Sequence, residues 1–361
     1  MRTRALVITV TTALAAGLTL SGCSLSGSGD DTSTKGSGQV VLVTHDSFTL
    51  PKELKAAFEK KTGEKLVIRQ SGDAGALTNK LVLTKDDPAG DVAFGVDNTF
   101  ASRALGAGVF ADYTPADLPA GADAFDLPGD DGKKLTPVDN GNVCVNVDTT
   151  WFAAHHVAAP ATLDDLTKPA YKNLFVTPGA TTSSPGLAFL LATVAKYGDP
   201  STGSGQAGWQ AYWKKLLANG TKVVDGWEDA YTVDFTQGGG KGSRPIVLSY
   251  DSSPAFTVAG GTSTTKALLD TCFTQVEYAG VLTGAKNPKG ARELVDFLLT
   301  PQVQAALPDA MYVFPVAKGT PLPADWAKFA VQPTNPWTVS PQAIDAHRDE
   351  WLRTWSDLVS Q

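Results

Sequence analysis

The sequence is short of the residues that carry out most covalent chemistry. Its 361 residues include three cysteines, two methionines and four histidines: His45, His155, His156 and His347. No His-Glu-x-x-His helix, no Gly-x-Ser-x-Gly elbow and no clustered Cys/His ligand set occurs. The glycine-rich run Gly238-Gly-Gly-Lys-Gly-Ser243 is no phosphate loop, because Gly242 follows the lysine and the Gly-x-x-x-x-Gly-Lys frame is missing. It reads as a turn. No nucleophile has a matched base, so the expectation is a chain without catalytic residues, cofactor or metal site. Excess positive charge is missing too: 30 Lys and Arg face 37 Asp and Glu, for a net charge of −7. Arg2 and Arg4 fall in the first 22 residues, which hold no acid, so the remainder is more acidic still. That balance argues against nucleic acid as a partner and is compatible with a cationic ligand. There is no internal repeat.

What is present begins with an address. Arg2 and Arg4 precede an uncharged stretch from Ala5 to Leu20, a basic n-region and an apolar h-region shorter than the roughly 20 residues of a spanning helix. It ends in Leu20-Ser21-Gly22-Cys23, which resembles the lipobox of bacterial lipoproteins. The resemblance implies a signal peptide over 1–22, cleavage before Cys23, lipid on that cysteine and a lipid-anchored protein outside the cytoplasmic membrane. Ser24 to Gly38 is rich in Ser, Gly and Thr and cannot bury a core, so 23–38 reads as a flexible tether. Export reframes the remaining cysteines. Outside the reducing cytosol an even pair tends to be bridged, and Cys144 with Cys272 is the expected disulfide, two buried free thiols being the alternative.

The length allows about two domains. Gln39–Thr44, Lys65–Arg69 and Asp91–Asp97 are apolar runs alternating with helical segments, the pattern of a doubly wound α/β unit. Each run ends in an acid within a few residues, Asp46, Asp73 and Asp97, which gathers carboxylates at the sheet edge where α/β ligands bind. Later strands are read at Val143–Val147, Leu174–Thr177, Ile246–Tyr250 and Gln275–Gly280. Residues 39–138 with about 281–315 form an expected first lobe, 139–280 a second, and 316–361 a helical segment packed on both.

Two stretches stand out as candidate sites. Thr181-Thr-Ser183-Ser184-Pro185 precedes Leu187, Leu190, Leu191 and Val194 at helical spacing, with Ser184 placed as N-cap. A hydroxyl-rich helix start can take an anion, or Ser184 can simply cap. Val224–Phe256 carries Trp227 and Tyr231 four apart, then a strand that breaks into Ser249-Tyr250-Asp251-Ser252-Ser253-Pro254 with no evident buried destination. Trp227 and Tyr231 could be one packed helix face. By contrast, Trp209, Tyr212, Trp213 and Leu216 read as core.

Five segments in consistent order carry a family resemblance: Thr44-His-Asp-Ser-Phe48, Gly95-Val-Asp-Asn98, Ser184-Pro-Gly-Leu187, Gly226-Trp-Glu-Asp-Ala-Tyr231 and Val247-Leu-Ser-Tyr250-x-x-Ser-Pro-Ala255. Together they resemble the thiamine-binding proteins of bacterial ABC transporters, from about residue 40 to the end. The resemblance implies a two-lobed type II periplasmic-binding-protein fold, a monomer that binds thiamine or its phosphates between the lobes and delivers it to a membrane permease. It places ligand contacts on Asp73-Ala74, Ser183-Ser184, Trp227 and Tyr250 through Ser253. Trp227 and Tyr250 are the expected stacking faces for the thiazolium, roughly 0.5–2 kcal/mol per good cation–π contact. Asp73 or Asp97 would supply counter-charge, with His45, Asp46 and Tyr312 nearby and Tyr231 left to the core.

Departures from the family pattern bear on the ligand. His45 stands where tyrosine is usual, Tyr312 for tryptophan and Phe256 for tyrosine; Asp73-Ala74 replaces Asp-Gly, with Gly75 one place later. Thr181 is nearest to where an arginine is usual, which leaves thiamine favoured and phosphorylated thiamine in question. A receptor for a polyamine or Fe(III), or a surface hydrolase or transferase, are the competing readings. A histidine beside a cationic ligand makes binding sensitive to pH. Affinity compared between about pH 5.5 and 8, a range spanning the usual histidine pKa, checks this: a change is expected, and a flat profile refutes it.

Overall fold

The computed structural model describes residues 38–130, 132–200 and 208–361, so the signal segment, most of the tether and the lipidation at Cys23 expected from sequence lie outside the described residues. The first lobe starts with β1 (Gln39–Thr44), α1 (Lys52–Thr62), β2 (Lys65–Gln70), α2 (Ala74–Leu83), β3 (Val92–Asp97) and α3 (Ala101–Gly106). Pro51 sits at the N-cap of α1, and Gly63 closes it in the left-handed conformation that glycine adopts without a Cβ clash. β1 pairs in parallel with β2 and β3, which brings their carboxyl ends to one edge. Both faces of β1 and β3 are buried, as continuous apolar runs require in a sheet covered on both sides.

The chain then crosses along β4 (Thr136–Asp148), thirteen residues that are all buried. The second lobe contains α4 (Thr149–Ala154), β5 (Phe175–Pro178), α5 (Ser184–Tyr197), α6 (Gly208–Ala218), β6 (Lys222–Val224) and β7 (Ile246–Tyr250). A short hairpin, β8 (Val258–Ala259) and β9 (Thr262–Ser263), leads into β10 (Thr265–Ala267). The chain returns along β11 (Phe273–Val281) to α7 (Pro288–Leu298), α8 (Pro301–Met311) and β12 (Phe314–Pro315). It ends with α9 (Ala324–Phe329) and α10 (Pro341–Val359). Among the described residues no helix is long and apolar enough to cross a membrane.

The sheet order is β2-β1-β3-β11-β4-β7-β5-β6. β11 and β4 are the crossover strands, antiparallel to each other and to their outer neighbours β3 and β7. The amino end of β4 pairs with β11 beside β3, whereas Val143–Val147 pair with β7, so one strand belongs to both lobes. Glu277–Val281 pair with β3 and therefore sit in the first lobe.

Each lobe has its own core. Phe175, Leu187, Leu191, Trp209, Trp213 and Leu216 pack with Ile344, Trp351 and Trp355 of α10, which makes the C-terminal helix part of the second lobe's core. Ser340 caps α10 by accepting from the Ala343 N–H, and the Trp351 indole donates to Asp199. Val40, Leu42, Phe94, Leu294 and Leu298 form one face of the first lobe's core. Thr162–Asp165 leads into a 3-10 turn over Asp165–Thr167.

Cys144 of β4 and Cys272, just before β11, are joined by a disulfide with Cα atoms 4.1 Å apart, 128 residues apart in sequence. The bridge ties the two crossover strands at the second lobe's end. Closing so long a loop lowers the entropy of the unfolded chain. Reduction, or Cys144→Ser with Cys272→Ser, is expected to cost about 2–5 kcal/mol in guanidinium unfolding. Coincident curves with and without reductant would contradict this.

Candidate ligand-binding site

A narrow cavity of about 40 Å³ lies between the lobes. The first lobe contributes His45, Ser47, Asp73 and Ala74, and the second Ser184, Pro185, Trp227 and Tyr250. Gln275 and Glu277 enter from β11, and Met311, Tyr312 and Val313 from the end of α8.

Asp73 is the N-cap of α2. One carboxylate oxygen accepts the Ala74 N–H at 2.6 Å, and the other accepts the Trp227 N–H at 2.9 Å from the opposite lobe. Burial raises its pKa, although these two N–H donors and the nearby His45 favour the anion. Further contacts span the cleft: the Ser47 hydroxyl to Glu228 at 3.0 Å, and the Ala76 N–H to the Thr182 carbonyl at 3.1 Å. Gly75 permits that second approach, since a Cβ there would lie 2.7 Å from the Thr182 backbone.

Trp227 presents a clamped ring. Its indole stacks on Tyr231 at 5.0 Å and 15°, meets Tyr250 edge-on at 6.3 Å, and donates through Nε1 to the Ser249 hydroxyl at 3.0 Å. The Tyr250 hydroxyl donates to Gln275 at 3.2 Å. Tyr312 holds a left-handed backbone, φ 64°, at the C-cap of α8, an unusual conformation for a bulky residue. Its ring lies 3.5 Å from Phe256, and its carbonyl accepts from the Ser252 hydroxyl at 2.6 Å.

The floor is acidic. Glu277 lies opposite Asp139 in the pairing of the crossover strands and contacts His45 at 3.2 Å. Burial and the facing Glu277 carboxylate push Asp139 well above the usual carboxyl range. Burial disfavours the His45 imidazolium, but attraction to Glu277, helped by Asp73 and Asp46, outweighs it and raises His45. Gly95 makes room for the ring: a Cβ there would fall 2.1 Å from His45, and its φ of +95° suits glycine. Among the described residues no group of three His, Cys, Asp or Glu is placed to hold a metal ion.

Of the residues expected from sequence, His45, Asp73, Ala74, Ser184, Trp227, Tyr250 and Tyr312 meet at this cavity. Others stand behind it. Asp46 is exposed and accepts the Gly72 N–H. Asp97 is fully buried, accepting from Thr99 and from the Phe100 N–H, and takes the Ser184 hydroxyl of the other lobe. Ser183, rather than Ser184, occupies the N-cap position of α5, without a side-chain capping bond. The hydroxyl cluster after β7 is buried, contrary to the sequence expectation. Asp251 is held by the Asn142 backbone and side-chain N–H groups, Ser253 by Ser249, and Ser252 by the Tyr312 carbonyl. These residues set the positions of wall residues rather than forming the wall. Gln275 and Glu277 were missed, and their signal was polar side chains at alternate positions of an otherwise apolar strand.

Burial raises Asp97 and Asp251 to about 6 from the usual 3.8, despite the hydrogen bonds each accepts. Folded Asp97 binds its proton more tightly than the unfolded chain does. Its stabilising contribution is therefore present below pH 3.8 and lost as pH rises through about 6. Asp97→Asn is expected to make the decline of stability between those values shallower by up to about 1.4 kcal/mol per pH unit. Urea unfolding at pH 4.5 and 5.5, two points about one unit apart inside that window, checks it; an unchanged slope would count against a raised Asp97.

Comparison with known proteins is consistent with this geometry. Residues 87–346 match the family described as bacterial extracellular solute-binding protein. The chain is 31% identical to a thiamine-binding periplasmic protein of Brucella melitensis over 90% of this chain and 92% of that one. It is 28% identical to a thiamine-binding periplasmic protein of Escherichia coli over 89% and 94%. Among solved structures, a periplasmic thiamin binding protein superposes with a TM-score of 0.76 at 28% identity, covering 89% of this chain and 96% of that chain. Iron-bound HitA from Pseudomonas aeruginosa superposes at 0.66 with 19% identity over 89% and 99%, a likeness of fold alone. The two-lobed architecture is thus a type II periplasmic-binding-protein fold.

Proposed function

The chain belongs to the bacterial extracellular solute-binding proteins, and within that family we propose that it is a receptor for thiamine. The observation that carries this reading is one cavity that joins aromatic walls to carboxylates: Trp227, Tyr250 and Tyr312 with Asp73 and Glu277. Thiamine carries a permanent thiazolium charge next to a flat aminopyrimidine. Aromatic faces stabilise such a cation through their quadrupole, and the carboxylates supply counter-charge in a site sheltered from water. The aminopyrimidine N–H groups find acceptors in Asp73, Glu277 and Gln275.

The two lobes close over the ligand by bending at the crossover strands, where β4 and β11 change partners between Asp139 and Asn142. Bonds such as Trp227 N–H to Asp73 form only when the lobes meet, so closure organises a wall residue and a counter-charge together. The closed receptor hands its ligand to an ABC permease, held near the membrane by lipid on Cys23. It binds without turnover.

Three measurements test the reading. Calorimetry with thiamine should show saturable one-to-one binding that leaves the compound unchanged; absence of binding, or release of product, would overturn it. Trp227→Ala is expected to weaken thiamine by about tenfold or more, about 1.4 kcal/mol, with folding verified by circular dichroism. A thiamine cation disfavours protonated His45, so affinity should rise as pH increases through that residue's pKa, and His45→Gln should flatten the profile.

A further inference from the structure

Helix α10 turns a buried stripe inward at alternating spacings of four and three: Ile344, Arg348, Trp351, Trp355 and Leu358. Four of these are the apolar residues such a stripe calls for, and Arg348 is not. Its side chain is 6% exposed, and Nη2 meets the neighbouring Asp349, itself 71% exposed, at 3.2 Å. Nε and Nη1 are buried without an acceptor among the described residues. A guanidinium does not shed its proton as a buried lysine can, so the charge and its donors persist inside the protein. Buried charge and buried N–H donors are both strongly unfavourable when left unmatched.

A second arginine reaches the same place from the first lobe. Phe100, at the start of α3, shares a core cluster with Ile344, Trp351 and Trp355, and α3 packs on α10. Arg103 follows Phe100 by three positions and so lies on the same side of α3. Its Nε is also buried without an acceptor among the described residues. Burial lowers the Arg348 pKa and repulsion from Arg103 adds to it, against the pull of Asp349 and Asp345 on its own helix. Both acids are exposed and leave the inner donors unmet. Neither arginine lines the cleft cavity.

We propose that Arg103 and Arg348 together bind a small oxyanion, a phosphate or a carboxylate, between α3 and α10. Its oxygens supply the acceptors that neither helix provides, and its charge sits between two cations that otherwise repel. Because the unmet donors belong to two guanidinium groups, a group with several acceptor oxygens fits them better than a halide does. The assignment is independent of the ligand held in the cleft.

Calorimetry on the full chain with inorganic phosphate, at an ionic strength held constant with sodium chloride, tests it. Phosphate is expected to bind saturably, one per chain, and acetate to compete with it; the tighter of the two identifies the class of the occupant. Arg348→Met keeps an apolar stem in the buried stripe and should weaken phosphate by about tenfold or more. Arg103→Gln, at the less buried member of the pair, should weaken it by about three- to tenfold and carries the comparison if the first variant does not fold. Phosphate should also raise the thermal midpoint of the native chain more than that of either variant. An equal rise in all three is the general effect of an excluded salt and would overturn the site. Absence of saturable phosphate binding, or native affinity in both variants, would overturn it too. Displacement of phosphate by chloride at equal concentration would refute an oxyanion as the occupant.

Discussion

The carboxylate of Asp73 is shared between two lobes. One oxygen completes the start of α2 in its own lobe, and the other takes the backbone N–H of Trp227 from the lobe opposite. A buried carboxylate is costly unless its lone pairs are satisfied, and here half of that satisfaction comes from across the cleft. Much of the site depends on this bond. It sets the backbone of the residue whose indole forms the main aromatic wall, and it keeps a negative charge at the cavity surface. Gly75 two residues later lets the lobes come close enough for the bond to form.

The crossover strands impose a second constraint. β4 and β11 carry Asp139 and Glu277 face to face in the sheet, an arrangement that places like charges directly opposite. It is tolerated because burial and the facing Glu277 raise Asp139 and so favour its neutral form, while His45 faces Glu277 from the first lobe. The acidic floor of the cavity thus sits where the strands change lobes, so ligand charge and lobe movement act on the same few residues. The disulfide between Cys144 and Cys272 holds these strands together on the second lobe's side of that point.

The expected site was legible to different depths. Asp73 was readable because an acid just after a strand and just before a helix is a cap at a sheet's carboxyl edge. Trp227 was ambiguous: its ring both packs on Tyr231 and faces the cavity, and helical spacing describes only the packing. The Ser249–Ser253 run misled, because a polar burst at a strand end looks exposed in one dimension. In the fold Asp251, Ser252 and Ser249 find partners from distant segments, Asn142, Tyr312 and Trp227, while Ser253 bonds Ser249 within the run. Asp97 likewise turned from an expected counter-charge into a buried link to Ser184. Glu277 went unnoticed because its meaning depends on Asp139, 138 residues earlier, and on His45, 232 residues earlier.

By itself the sequence determined what local periodicity and composition can carry. These were two α/β halves, the helix start at Ser184-Pro185 and the aromatic core of α6. Those features arise from contacts within a few residues, so they survive reading in one dimension. Only the tertiary structure decided which polar residues face the ligand and which are consumed in holding the wall. That choice rests on pairings across the cleft and between crossover strands, where hydrogen-bond partners lie from 87 to 181 residues apart and burial makes most of them obligatory.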